Sequence, residues 1–204
     1  MAAPPEINIK NLTGKWVISK SLSDSTDPVL ALQGIGWLTR KAISLATITQ
    51  HLKMYEAPPE SDPSGAPTTH IDIDQRGTGG LKGTTEKRNL DYQWRPHSDY
   101  LFGDVRGKTR WVKLEDIVKE KEGGEQDLLE DAKFLVEGWD EETRNGELVD
   151  SFVENEDRGW TAWQIWGFAT VDGKRMLTRR FAVRKGKEVE RIRLVYEYAG
   201  KLDS

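Results

Sequence analysis

Leu12-Thr13-Gly14-Lys15-Trp16-Val17-Ile18-Ser19-Lys20, then Ser21-Leu22-Ser23-Asp24-Ser25-Thr26-Asp27-Pro28, then Val29 to Ala46: the reading of this stretch decides the fold. Gly14 to Lys20 alternates, with Trp16 and Ile18 on one face and Lys15 and Val17 on the other, as a half-buried strand does. Ser25, Thr26 and Asp27 ahead of Pro28 make a helix start, because a side-chain oxygen can cap free amides and proline suits the first turn. Val29, Leu30 and Leu32 give that helix an apolar side before Gly34 and Gly36 break it. Trp37, Leu38, Lys41, Ala42 and Leu45 continue at helical spacing, with Arg40-Lys41 on a polar edge. Both helices are too short to stand alone and need an apolar surface to lie on.

From Thr47 the period becomes two. Strands are predicted over 47–55, 68–75, 82–92, 148–154, 160–171, 174–184 and 187–198, with a hairpin of 100–104 and 108–114 around Arg106-Gly107. Residues 57–67, with prolines at 58, 59, 63 and 67, read as a loop. Asp172-Gly173 between alternating runs is a hairpin signal. Residues 115–147 read as a solvated, charged insertion with one surface helix, and residues 1–11 as a loose arm. About ten antiparallel strands must hide their edges. The predicted class is therefore all-β: one domain over 1–204, a closed or nearly closed up-and-down barrel with a helix-turn-helix lid after its first strand.

At 204 residues the chain can bury a core without disulfides. It has no cysteine, which removes thiolate catalysis and fits a reducing compartment. With 30 basic against 34 acidic residues and no basic block interleaved with aromatics, it lacks a nucleic-acid footprint. No apolar run reaches the ~20 residues of a membrane span, and no charged, apolar leader opens the sequence. A cytoplasmic protein that partners no nucleic acid is expected. Phosphate loops, dinucleotide fingerprints and the Gly-x-Ser-x-Gly elbow are absent from the sequence.

Gly14-x-Trp16, Leu32-x-Gly34-x-Gly36, Arg40-Lys41, Ala46 and the late Val195-Tyr196-Glu197 together resemble intracellular fatty-acid-binding proteins, members of the calycin superfamily that also holds the lipocalins. The chain looks most like a fungal group of such barrels. The resemblance implies a cavity for a small apolar ligand with a polar head, no cofactor, a lid of two helices and a tryptophan plugging the closed end. It also implies that arginines on the last strands, with the tyrosine matched by Tyr196, hold the head. Here Leu194 stands where the family places one arginine.

Candidate ligand-binding residues are Leu30, Trp37, Leu38, Trp163, Trp166, Phe168, Arg179, Arg180, Leu194 and Tyr196. Arg179 and Arg180 are adjacent, so one points inward: Arg179 if Leu177, Phe181 and Val183 face the lumen, Arg180 if Met176, Thr178 and Ala182 do. Leu30, Leu32, Trp37 and Leu38 read as a portal lining or a face that touches a membrane transiently, or as packing of the helices onto the barrel rim. His70, Asp72 and Asp74 share one strand face, but Ile71 and Ile73 opposite turn that face to water, so no metal site is expected. Binding or transport of a small apolar molecule, such as a lipid, terpenoid or polyketide-like compound, is the first functional reading. The alternative is a cofactor-free isomerase, cyclase or pericyclase on the same cavity, with Arg179, Arg180, Tyr196, Tyr100 or His51 polarising a carbonyl or moving a proton.

Overall fold

The computed structural model describes residues 1–59 and 62–203. β1 (Gly14–Ile18) is followed by α1 (Asp27–Leu32) and α2 (Trp37–Leu45), then by β2 (Ile48–Ala57), β3 (Thr68–Gly77), β4 (Thr84–Asn89), β5 (Arg95–Asp99) and β6 (Gly103–Val112). Three helices, α3 (Leu114–Lys119), α4 (Gln126–Leu135) and α5 (Glu141–Asn145), precede β7 (Leu148–Asn155), β8 (Trp160–Val171), β9 (Lys174–Lys185) and β10 (Glu188–Gly200). The ten strands form one antiparallel sheet in the order β4-β3-β2-β1-β10-β9-β8-β7-β6-β5. Pairing of β1 with β10 rolls the sheet into a barrel, nearly closed, with a seam between β4 and β5.

Trp16 is fully buried. Its indole N–H donates to the Leu12 carbonyl at 2.9 Å, and its ring meets Tyr198 edge-on at 5.1 Å. Gly14 is required beside it: an added Cβ would lie 2.7 Å from the Tyr198 ring. The predicted turn at Asp172-Gly173 is present, with both residues at positive φ, 47° and 70°.

Four expectations are corrected. First, Arg106-Gly107 is not a turn but lies within β6, whose hairpin partner is β5. The turn is at 100–102, where the Asp99 carboxylate accepts from the backbone N–H of Leu101 and Phe102. Second, the insertion holds three helices, packed rather than solvated. Ile117, Ala132, Leu135 and Trp139 bury against the outer-face residues Ile165, Ala169, Met176 and Val195. Arginines fasten it: on the outer face the Asp131 carboxylate, 2% exposed, accepts from Arg184 and from Arg191 at 2.8 Å, and at the start of β9 Arg175, which shares the lumen parity and lies over Phe168, pairs with Glu142. Third, the arm is held down, because Ala3 and Ile7 are buried and the N-terminal ammonium lies 2.9 Å from Glu197. Fourth, strand β4 is shorter than 82–92. The loop expected over 57–67 is seen where described; residues 60 and 61 lie outside the described residues.

The lid is asymmetric. Val29, Leu30 and Leu32 of α1 are buried, while α2 buries no residue. Arg40 ties the two helices, donating to Asp27 at 2.9 Å and to the Ile35 carbonyl at 2.9 Å. No helix among the described residues is long and apolar enough to cross a membrane.

Candidate active site in the barrel

Alternation decides what faces the lumen. In β9, Leu177 and Val183 join the inner core and Arg179, of the same parity, lines the lumen, while Met176 and Ala182 join the outer core. Arg179 is therefore the inward member of the pair. Arg180 is outside, where its Nε donates to the Phe134 carbonyl at 2.7 Å and its head pairs with Glu137.

A cavity of about 240 Å³ occupies the lumen between the lid and the floor. Ile73, Phe181, Val183, Ile192 and Leu194 form apolar walls, and Gln164, Arg88, Arg179 and Tyr196 supply polar groups. Leu30, Leu101 and Phe102 border the entrance. There Arg158 spans the two sides, with one nitrogen 3.2 Å from the Leu101 carbonyl and 3.5 Å from the Gln33 carbonyl.

Arg179 is 3% exposed. Its guanidinium lies 3.6 Å over the Trp166 ring and 4.7 Å from that of Tyr196. Its Nε and Nη2 have no hydrogen-bond partner among the described residues. Burial works against its charge, and nearby Arg88 adds to that. Burial likewise pushes the Tyr196 hydroxyl up, opposed by Arg179 and Arg88. Arginine does not give up its proton in such a site, so a buried cation with two donors that bond no described residue faces a largely apolar chamber. Arg88, also on the Trp166 ring at 5.3 Å, pairs with Glu86 at 2.7 Å and donates to Ser151. The Trp166 indole is fixed by its N–H···O bond to Gln164, 2.7 Å.

The named candidates divide as follows. Leu30, Arg179, Leu194, Tyr196 and Tyr100 line the cavity. Trp166 and Phe168 belong to the inner core, Trp166 supporting Arg179 rather than lining the chamber. Trp163 is on the outer face, where its N–H bonds Asp150 at 2.7 Å, so it is removed from the wall. Trp37 and Leu38 are 64% and 75% exposed and do not line it either. His51 lies on the outward side of β2 and outside the lumen cavity. Arg88, Glu86 and Gln164 are lumen groups that the sequence reading missed. Among the described residues no cluster of His, Asp and Glu has metal-holding geometry.

No family model matches the chain. It is 30% identical over 199 residues to a probable pericyclase, scpY, of Mollisia scopiformis, covering 98% of this chain and 95% of that protein. It is 31% identical over 200 residues to the pericyclase pydY of Acremonium sp, covering 98% of each. The chain belongs to this fungal pericyclase family. Among solved structures, the Schistosoma mansoni fatty-acid-binding protein in complex with arachidonic acid matches 95% of this chain and all of its own, with a TM-score of 0.53 at 14% identity. A mutant fatty acid transporter, REP1-NXSQ, matches 92% of this chain and 98% of its own with a TM-score of 0.50 at 13% identity. Those two likenesses show the fold of this chain, an antiparallel barrel like that of fatty-acid-binding proteins.

Proposed function

We propose that this protein is itself a pericyclase, binding a small apolar polyene in the lumen and closing it into a ring. The observation that carries the reading is Arg179, a buried cation with two donors that bond no described residue, at a largely apolar chamber. The whole-length relatives named as pericyclases support it. A pericyclic closure reorganises bonding electrons within the substrate. In a [4+2] case three π bonds become two σ bonds and one new π bond, and no proton leaves.

The protein's part is then shape and polarisation. The walls formed by Phe181, Val183, Ile192 and Leu194 select a folded substrate, which removes orientational entropy before reaction. Nε and Nη2 of Arg179 donate to a carbonyl conjugated with the reacting alkene, and Trp166 beneath holds the guanidinium plane. Hydrogen bonding draws electron density from the alkene and lowers the barrier. Tyr196 offers a further donor on the same side. Binding of a small apolar ligand is common to this reading and to simple transport.

A cytoplasmic setting, suggested by the absence of cysteine, belongs to the same proposal. So does transient membrane contact through α2, whose Trp37, Leu38 and Leu45 face solvent. Co-sedimentation with phospholipid vesicles that is unchanged by Trp37→Ser with Leu38→Ser would remove that contact. The test of the enzyme reading is incubation with linear polyenes carrying a conjugated carbonyl. The expected result is faster closure with one diastereomer enriched over the uncatalysed mixture. Saturable binding with an uncatalysed rate and product ratio would leave a carrier.

A further inference from the structure

The barrel's seam is not an inert gap. A polar cleft of about 1030 Å³ reaches from it over the outward side of β2–β4, and Glu86, Arg88, His97, Val105 and Val153 border both this cleft and the lumen cavity. The cleft is bordered by six Lys or Arg residues against four Asp or Glu, and by all three histidines of the sequence, His51, His70 and His97. The lumen alone, at about 240 Å³, falls below the roughly 300–1,000 Å³ of ordinary small-molecule sites. A substrate at the larger end of that class would extend beyond it.

Arg88 stands at the junction. It is 7% exposed, its Nη atoms are taken by Ser151 and Glu86, and its Nε has no hydrogen-bond partner among the described residues. It reaches from β4, on one side of the seam, to β7 beyond the other. Unlike Arg179, which ends in the closed part of the lumen, Arg88 borders both spaces.

We propose that the seam is a second subsite of the same cavity, which receives the substrate's polar end. The apolar, reacting part lies in the lumen, and an acidic head, a carboxylate or ionised enol, projects through the seam onto Arg88. The identity of the ligand as a polyene substrate rests on the pericyclase reading; the subsite itself rests on the geometry. The substrate class is thus an amphipathic acid rather than a neutral hydrocarbon.

The test titrates the full-length protein with 1-anilinonaphthalene-8-sulfonate and with N-phenyl-1-naphthylamine, the same ring system without the sulfonate. The sulfonate probe is expected to bind about tenfold tighter, since charge-assisted hydrogen bonds carry the difference. Arg88→Gln should abolish that preference with the neutral probe unchanged. Glu86→Gln, which frees Arg88 from its carboxylate, should tighten sulfonate binding about threefold. A preference that survives Arg88→Gln, or that is lost in Arg179→Gln alone, overturns the subsite. If Arg88→Gln does not fold, Glu86→Gln decides, and unchanged or weaker sulfonate binding overturns it. Preference for the sulfonate probe without turnover of any polyene upholds the subsite while removing the pericyclase reading.

Discussion

Arg179 and Trp166 face each other across β9 and β8 as register partners, with the guanidinium 3.6 Å over the indole ring. The stack sets the cation's plane and leaves Nε and Nη2 without partners. Such a cation is costly for folding, because it is buried with two donors that bond no described residue; in the proposed reaction its fixed donors would need little reorganisation as charge develops on a substrate oxygen.

That opposition gives the first prediction. Arg179→Met should stabilise the fold by about 1 kcal/mol or more, since it replaces an unpaired buried charge by a side chain of similar length. The same variant should lose about 100-fold or more in ring-closing rate, the scale of a lost oxyanion-type donor. Denaturant unfolding and a turnover assay read the two effects. A destabilised variant that keeps full activity would contradict both.

Arg158 predicts an effect on exchange rather than chemistry. It donates to carbonyls of Gln33 on the lid side and Leu101 on the β5–β6 turn, so it latches the entrance. Arg158→Ala should speed probe dissociation several-fold with little change in the ring-closing step. Stopped-flow displacement measures it.

The outer layer makes a third prediction. Asp131 is 2% exposed and takes both Arg184 and Arg191. Asp131→Ala leaves Arg191 without its carboxylate and Arg184 with only the longer ion pair to Asp127, and should cost about 2–3 kcal/mol. Hydrogen exchange should rise in α4 before the barrel strands. Uniform exchange in α4 and β9 would place the clasp elsewhere.

A pH effect follows at the β4–β5 connection. Burial alone would raise the Asp91 carboxyl, but hydrogen bonds from Arg95 at 2.6 Å override it and hold the group below the usual carboxylate range. A depressed carboxyl contributes stability that is fully present above its unfolded pKa of ~3.9 and is lost as pH falls through the folded value. Carboxyl carbon NMR should show Asp91 titrating below the exposed aspartates, and Asp91→Asn should flatten the acid limb of the stability curve.

The order of strand, two helices and strands was readable because Trp16, the Gly34–Gly36 break and the change of period at Thr47 are local signals. The inward choice between Arg179 and Arg180 was open in sequence because β9 is apolar on both parities. Both faces are in fact covered, one by the lumen and one by α3–α5. The sign that could have exposed the outer cover was β8, where Trp163, Ile165 and Ala169 sit on the parity opposite Trp166 and Phe168. A strand with two apolar faces needs two partners, and Ala132, Leu135 and Trp139 offered one at helical spacing. Arg88 and Glu86 stayed hidden in a strand of threonines and charges, where alternation carries no hydrophobic contrast. Only closure of the barrel turns that strand's inner parity into lumen.

The most direct measurement is a crystal structure with the cyclised product of a carbonyl-bearing polyene bound. The account predicts the product in the lumen, against Phe181 and Leu194, with its carbonyl oxygen within about 3.2 Å of Nε or Nη2 of Arg179. A product bound outside the lumen, or in it with Arg179 turned to a protein acceptor, would contradict the assignment of Arg179 as the group that receives the substrate's carbonyl.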